Sequence, residues 1–177
     1  MAKNRIRSRT ADGVTRIFLY LDIYFIKIMK TVFDAGVHGE VIERLGRLTA
    51  GSERQWGKMS AGQMMEHVAR ALEMATGRKP MQQAFIGKAI GWIFKKGFLS
   101  EKPFAKNGPT GPTMKVGDEP DFESTRSRLK ELINEFRRQG ESGVDGNIHG
   151  FFGRLSGKQW GETQYKHLDH HLRQFAL

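Results

Sequence analysis

The sequence predicts an all-α fold, an up-down bundle of four main helices with an extra N-terminal segment. Apolar residues recur at helical spacing over most of the chain, and two capping boxes mark helix starts. No alternation of apolar and polar residues is long enough to indicate a strand. With 177 residues, 38% of them hydrophobic, the chain has the length and apolar content of one folded domain.

The first 28 residues differ in composition from the rest of the chain. They carry six basic residues against two acidic ones, and their apolar run over 17–26 is interrupted by Asp22. The run is short for a membrane span and no small-residue cleavage site follows it, which argues against a signal peptide or anchor. Two alternatives stay open: an extension that packs loosely on the domain, and a translated upstream stretch before a natural start at Met29.

The first two helices of the domain are predicted from periodicity and caps. Apolar residues at helical spacing indicate a helix near 31–49. The second helix starts at the capping box of Ser60 and Gln63, whose side chains can satisfy backbone donors reciprocally. It is expected to end at about Gly77, a candidate glycine C-cap.

The third segment, at 81–98, is apolar nearly all round, and basic residues flank it. The segment also contains the aromatic residues Trp92, Phe94 and Phe98. It therefore has the composition of a helix that lies on a membrane or binds a partner helix. We favour the alternative of a core helix whose ends are solvated by lysine. Prolines and glycines then predict a loop over 100–118.

The last two helices complete the predicted bundle. Apolar spacing indicates a fourth helix at about 120–138, which the glycines from Gly140 onward are expected to break. A second capping box, formed by Ser156 and Gln159, predicts the start of a final helix over about 157–175.

Charge and cysteine content limit the classes of function. The net charge of +10 raises, as an alternative function, a basic module that binds nucleic acid or an anionic membrane surface. No helix-turn-helix, zinc-finger or RNP pattern supports it, so neither is the expected partner. The chain has no cysteine, which excludes disulfides, iron–sulfur clusters, thiolate zinc sites and a cysteine nucleophile. This composition fits a reducing compartment, and we expect a cytoplasmic protein.

Four of the six histidines fall on two predicted helices. His171 and His167 lie about 60° and about 100° from the centre of the apolar face of the last helix. His67 lies about 100° from that of the second helix. His170 is about 160° away, shares its face with Lys166 and is expected to meet solvent.

These positions predict a candidate metal site. Imidazoles at i and i+4 on one helix can reach a common ion, and a third from a neighbouring helix leaves coordination positions open. His67, His167 and His171 are therefore the candidate ligands. Neutral imidazole suits zinc, nickel, copper or iron, of which zinc or nickel is the expected ion. The alternative is a set of packing residues at the core edge of a non-catalytic bundle scaffold.

Three further residues are weak candidates for catalysis. Glu66 and Asp169 adjoin the candidate ligands in sequence and could serve in proton transfer or in orienting a ligand. Both point largely away from the apolar face, so we favour solvated surface for them. His149, just before the entry to the last helix, could line the site.

Two strings of the chain resemble a known superfamily. The first is Trp56-Gly57-Lys58-Met59-Ser60 leading to Met65-Glu66-His67, and the second is the ending from Phe151-Phe152-Gly153-Arg154-Leu155-Ser156 through Tyr165-Lys166-His167-Leu168-Asp169-His170-His171 to Phe175. Pro109-Thr110-x-Pro112 and Asp121-Phe122 extend the likeness, which covers about 29–177. The chain is similar to the DinB/YfiT-like superfamily, and within it to the branch called domain of unknown function 1569. Because the likeness begins near Met29, it favours the upstream-stretch interpretation of residues 1–28.

The resemblance implies a four-helix bundle, often dimeric, with a divalent metal held by three histidines. Carried over residue by residue, these are His67 on the second helix and the His167 and His171 pair on the last. The superfamily includes enzymes that transfer low-molecular-weight thiols, and others proposed as hydrolases or isomerases. The expected function is therefore a metal-dependent enzyme that acts on a small molecule by thiol transfer or hydrolysis. Any thiol would have to come from outside the chain, which has no cysteine.

Overall fold

The structure is a computed structural model that describes residues 29–177. This part is mostly helical, in agreement with the predicted all-α class. Its elements are α1 (Ala35–Arg47), α2 (Ala61–Ala75), α3 (Phe85–Phe98), α4 (Phe122–Val144), β1 (Ile148–His149), β2 (Gly153–Arg154) and α5 (Gly157–Gln174), with a 3-10 turn at Pro112–Met114. The interpretations given for residues 1–28 concern a segment outside the described residues.

Side-chain caps start α2 and α5 as the sequence predicts. The hydroxyls of Ser60 and Ser156 accept hydrogen bonds from the backbone N–H groups of Gln63 and Gln159. The two glutamine side chains accept the N–H of the capping serine in return. These bonds satisfy backbone donors that no helical carbonyl can reach. Both predicted capping boxes are confirmed, and Gly77 follows α2 with a φ of 75°, as expected of a glycine C-cap.

The fourth helix is interrupted at Gly140, as the sequence predicts. Within Phe122–Val144 the backbone is non-helical at Gly140, where φ is 64° and ψ is −176°. Glycine adopts such a positive φ without steric penalty, so the chain turns there and a short second helical stretch follows, up to Val144. Val144 is fully buried, and its burial stabilises this second stretch.

Helices α1, α2, α4 and α5 pack on one another around a single apolar core. Each contributes fully or almost fully buried side chains, among them Leu45, Met65, Phe136 and Trp160. A two-residue antiparallel hairpin, β1 with β2, precedes α5 and packs beside α2. Because α2 and α5 are in direct contact, side chains on their facing sides can meet.

The third helix is not the core helix that the sequence predicts. Only Gly87 and Gly91 of α3 are buried, whereas large apolar side chains such as Phe85 and Trp92 are exposed. Within the described residues α3 packs mainly on the hairpin, and only its end, at Phe98, lies against the main core. A segment that is apolar all round shows no preferred face in sequence, so the contact itself decides which side is buried. No helix in residues 29–177 is long and apolar enough to cross a membrane.

Candidate metal centre

Three histidine side chains meet where α2 and α5 pack together. His67 comes from α2, and His167 and His171 lie one turn apart on α5. The Nε2 atom of His167 is 3.0 Å from Nε2 of His67 and 3.1 Å from Nε2 of His171. One candidate ligand atom from each residue lies within 4.8 Å of the other two. The structure thus brings together the three histidines that the sequence singles out.

The loop after α3 binds Nδ1 of His67, the ring nitrogen that faces away from the other two histidines. This Nδ1 is 2.9 Å from the backbone carbonyl oxygen of Met114, in the 3-10 turn. A carbonyl oxygen can only accept, so Nδ1 carries the proton and Nε2 presents a lone pair. Arg70, one turn further along α2, donates to the carbonyl oxygen of Lys115 at 2.8 Å and so ties this loop to the helix.

A glutamine holds the outer nitrogen of His171. The Nδ1 of His171 is 2.9 Å from Oε1 of Gln174, whose Nε2 donates to the carbonyl oxygen of Trp56 at 2.8 Å. Since the amide nitrogen is committed to Trp56, Oε1 is the atom that accepts from the imidazole. Gln174 is not among the residues predicted from sequence, although its position three residues after His171, on the same helix, is a signal that indicates such a contact.

Gly57 makes room for this glutamine. Its φ is +80°, and a Cβ atom built there would lie 2.5 Å from Nε2 of Gln174. Any residue with a side chain would be strained by the positive φ and would also press on the amide. Glycine at position 57 therefore leaves space for the Gln174 side chain that orients His171.

Burial keeps the three imidazoles neutral. It lowers the pKa of His171 to about 3 and is also the largest cause of the lowered pKa values of His67 and His167. The neighbouring imidazoles lower the pKa of His167 further. The Nε2 atoms of His67 and His171 are unprotonated. Of the three converging Nε2 atoms, only that of His167 can therefore carry a proton. Neutral imidazoles with converging lone pairs are the donor set that a divalent cation binds.

Aromatic side chains lie next to the histidines. The ring centroid of Phe104 is 6.3 Å from that of His167 and 6.1 Å from that of His170. The ring of Trp56 lies 5.7 Å from His170, and Nζ of Lys106 lies 4.3 Å from the centroid of Trp56. His170 is half-buried, so its predicted exposure to solvent is only partly correct. Phe104 belongs to the long loop between α3 and α4, for which the sequence predicts no function.

Lys166 is buried, although the sequence places it on a face expected to meet solvent. Its Nζ donates to the carbonyl oxygens of Ser100, at 2.8 Å, and of Phe98, and lies 4.3 Å from the ring centroid of Phe104. Burial lowers its pKa to about 8. A helical wheel of α5 alone cannot show this, because the covering loop is distant in sequence.

The two candidate carboxylates form ion pairs. Glu66 pairs with Arg70, 2.9 Å from its Nε, and with Arg128. Asp169 accepts from Nη1 of Arg44 at 2.9 Å. Their side chains are only 18% and 16% exposed, so the interpretation as solvated surface is wrong. The guanidinium partners occupy oxygens that proton transfer would need.

His149, the third weak candidate, lies in an aromatic cluster. Its ring centroid is 4.9 Å from that of Phe152 and 5.8 Å from that of Trp160. Nδ1 accepts the backbone N–H groups of Phe151 and Phe152, both at 3.1 Å. Burial lowers its pKa to about 4. The contacts of His149 thus stabilise the hairpin turn.

The family of the chain follows from comparison with known proteins. The model of the family described as "Protein of unknown function (DUF1569)" matches residues 29–177. A search of curated proteins found no match, and neither did a search of solved structures. The matched range contains the three converging histidines and Gln174, which holds one of them. The chain therefore belongs to the DUF1569 family.

Proposed function

We propose that this protein is a metal-dependent enzyme whose divalent cation is held by His67, His167 and His171. The convergence of their Nε2 atoms is the observation that carries the proposal. Histidines that bind metals generally donate their second ring N–H to a carbonyl, amide or carboxylate oxygen. Met114 and Gln174 accept such bonds here, which supports the proposal. Imidazole donors suit zinc, nickel, copper and iron, and of these we propose zinc or nickel.

A divalent ion at this place would polarise a substrate oxygen, or lower the pKa of a water or thiol, at the positions that three ligands leave open. The chain's own residues would orient the ligands and shape the surface beside them. Met114 and Gln174 orient two of the ligands. The ring of Phe104 offers an apolar surface beside His167, and Trp56 lies next to the neighbouring His170. We propose a small-molecule substrate, and thiol transfer or hydrolysis as the reaction. The thiol would be a low-molecular-weight one from solution.

The same proposal extends to the architecture. We place residues 29–177 in the DinB/YfiT-like superfamily, as an up-down four-helix bundle that forms a homodimer. The bundle is supported by the packing of α2, α4 and α5 on one another and of α1 on α4 and α5. The superfamily likeness of the two sequence strings is its other support.

Elemental analysis of untagged protein tests the metal site. We expect about one divalent ion per chain in the parent and loss of that ion in His171→Ala. His38→Ala is the matched control, because His38 lies on α1 and bonds Asn134 instead. Metal that survives His171→Ala would contradict these ligands. A parent that neither contains metal nor takes up added zinc or nickel would contradict the proposal as a whole.

A second assay separates the two reaction classes. Metal-loaded protein is incubated with a small free thiol and an epoxide, and separately with an ester. Loss of free thiol that His171→Ala abolishes would indicate thiol transfer, and ester cleavage with the same dependence would indicate hydrolysis. Turnover that is the same in His171→Ala would contradict a role for the site.

A further inference from the structure

The solvent-facing side of α3 is apolar and aromatic. Phe85 is 88% exposed and Trp92 is 73% exposed. Ile86 and Ile93, on the same side of the helix, are each more than half exposed. Single exposed apolar residues are ordinary, but a contiguous group on one helix marks an interaction surface.

Two glycines turn this side outward. A Cβ atom at Gly87 would lie 2.3 Å from the carbonyl oxygen of Phe151, and one at Gly91 would lie 2.6 Å from it. The backbone of α3 therefore packs directly on the turn between β1 and β2, where no side chain fits. Gln83 donates to the same carbonyl oxygen at 2.9 Å, just before the helix. Because only glycine fits on the inner side of α3, the large apolar side chains of the helix lie on its outer side.

The surroundings of the apolar side are basic. Helix α3 carries Lys88, Lys95 and Lys96 and contains no acidic residue. Lys88 and Lys96 are exposed, and neither forms an ion pair within residues 29–177. Two copies of the chain joined face to face through α3 would bring these like charges together. An anionic surface would be attracted instead, so charge selects the partner.

We propose that α3 binds the surface of an anionic lipid bilayer. The outer apolar side chains enter the boundary between headgroups and acyl chains, and the exposed Lys88 and Lys96 contact the lipid phosphates. A helix with aromatic and apolar residues on one side and lysines beside them binds anionic membranes in this way. Tryptophan is enriched at this depth of a bilayer because its ring is apolar and its N–H is polar. With 14 residues, α3 is too short to span the bilayer and lies along it.

Cosedimentation of the full chain with lipid vesicles tests the proposal. One set of vesicles is equimolar phosphatidylcholine and phosphatidylglycerol, and the other is phosphatidylcholine alone. The test variant is F85E/W92E, whose two sites are highly exposed. The control is S127E/S142E, which adds the same charge at exposed positions of α4. The parent and the control should bind the anionic vesicles, and F85E/W92E should bind them at least about tenfold more weakly.

Three outcomes would overturn the proposal. The first is that the parent does not bind anionic vesicles, and the second is that F85E/W92E binds them as well as the parent. The third is a dimer that F85E/W92E abolishes without any vesicle binding, which would identify a second copy as the partner.

Fluorescence locates the inserted helix. Brominated acyl chains should quench the tryptophan emission of the parent. The conservative variant W92F should keep vesicle binding and lose most of the quenching. Quenching that is unchanged in W92F would place another segment in the bilayer and overturn the assignment to α3.

Discussion

The Nδ1 atom of His171 lies 2.9 Å from Oε1 of Gln174, while Nε2 of the same ring faces His167 at 3.1 Å. Gln174 thus fixes which nitrogen of His171 is protonated. Its own orientation is fixed by the carbonyl oxygen of Trp56, 118 residues earlier in the chain.

Substituting Gln174 by Ala should weaken metal binding. The imidazole of His171 would lose the acceptor that orients it, and losses of this kind lower metal affinity about 10- to 100-fold. Competition with a chromogenic chelator measures the affinity. Gln174→Glu keeps an acceptor oxygen and should lose less than Gln174→Ala. Equal affinity in Gln174→Ala and the parent would show that this bond does not support the site.

Substituting Gly57 by Ala should destabilise the fold near the site. The positive φ and the 2.5 Å approach to the Gln174 amide together cost about 1–3 kcal/mol of the free energy of unfolding. Denaturant titration measures the change. Gly51→Ala is the matched control, since no atom lies within 4 Å of a Cβ atom there and its φ is not positive. A Gly57→Ala variant as stable as Gly51→Ala would contradict the packing described.

His149 should make stability depend on pH. Burial lowers its pKa to about 4 in the folded state, below an unfolded value of about 6.5. Because the folded state disfavours the protonated ring, its contribution is fully present above pH 6.5 and is lost as the pH falls towards 4. The loss amounts to about 3 kcal/mol.

Denaturant titrations from pH 7 to pH 4 isolate this contribution. The buried ligand histidines titrate in the same direction, so the informative quantity is the difference between His149→Gln and the parent. The variant should lose less stability over this pH window. Parallel curves for the two proteins would show that His149 is not the group responsible.

Substituting Gly87 by Ala should loosen α3 from the hairpin. The new Cβ atom would lie 2.3 Å from a backbone oxygen, which cannot move away as a flexible side chain can. Overpacking of this kind costs about 1–3 kcal/mol of unfolding free energy. Gly97→Ala, in the same helix with nothing within 4 Å, should be neutral or stabilising by about 0.5–1 kcal/mol. Equal stability of the two variants would contradict the close contact.

Local signals account for what could be predicted of the fold. The capping boxes at Ser60 and Ser156 depend on residues three positions apart, so their hydrogen bonds can be read from the chain. The fourth helix shows both the use and the limit of such signals. Gly140 interrupts the helix as predicted, but the helical stretch that follows it up to Val144 is stabilised by the burial of Val144, which the local sequence does not show.

The candidate site likewise has features that can be predicted from single helices and contacts that cannot. The i, i+4 pair of His167 and His171 and the edge position of His67 are properties of single helices, and these residues converge when the helices pack. Glu66 and Asp169 were expected on solvated surface, but arginines from other elements pair with them. A helical wheel contains no information about such partners.

By itself, then, the sequence determined the helical class, the capped helix starts, the lack of thiolate ligands and the choice of three histidines. Each depends on composition or on spacing within one helix. Only the tertiary structure decided that Gln174 and Met114 hold the imidazoles, that Lys166 is buried under a loop, and that the apolar side of α3 faces outward. These features join segments that are far apart in the chain, and periodicity within a segment cannot specify which distant backbone will pack against it.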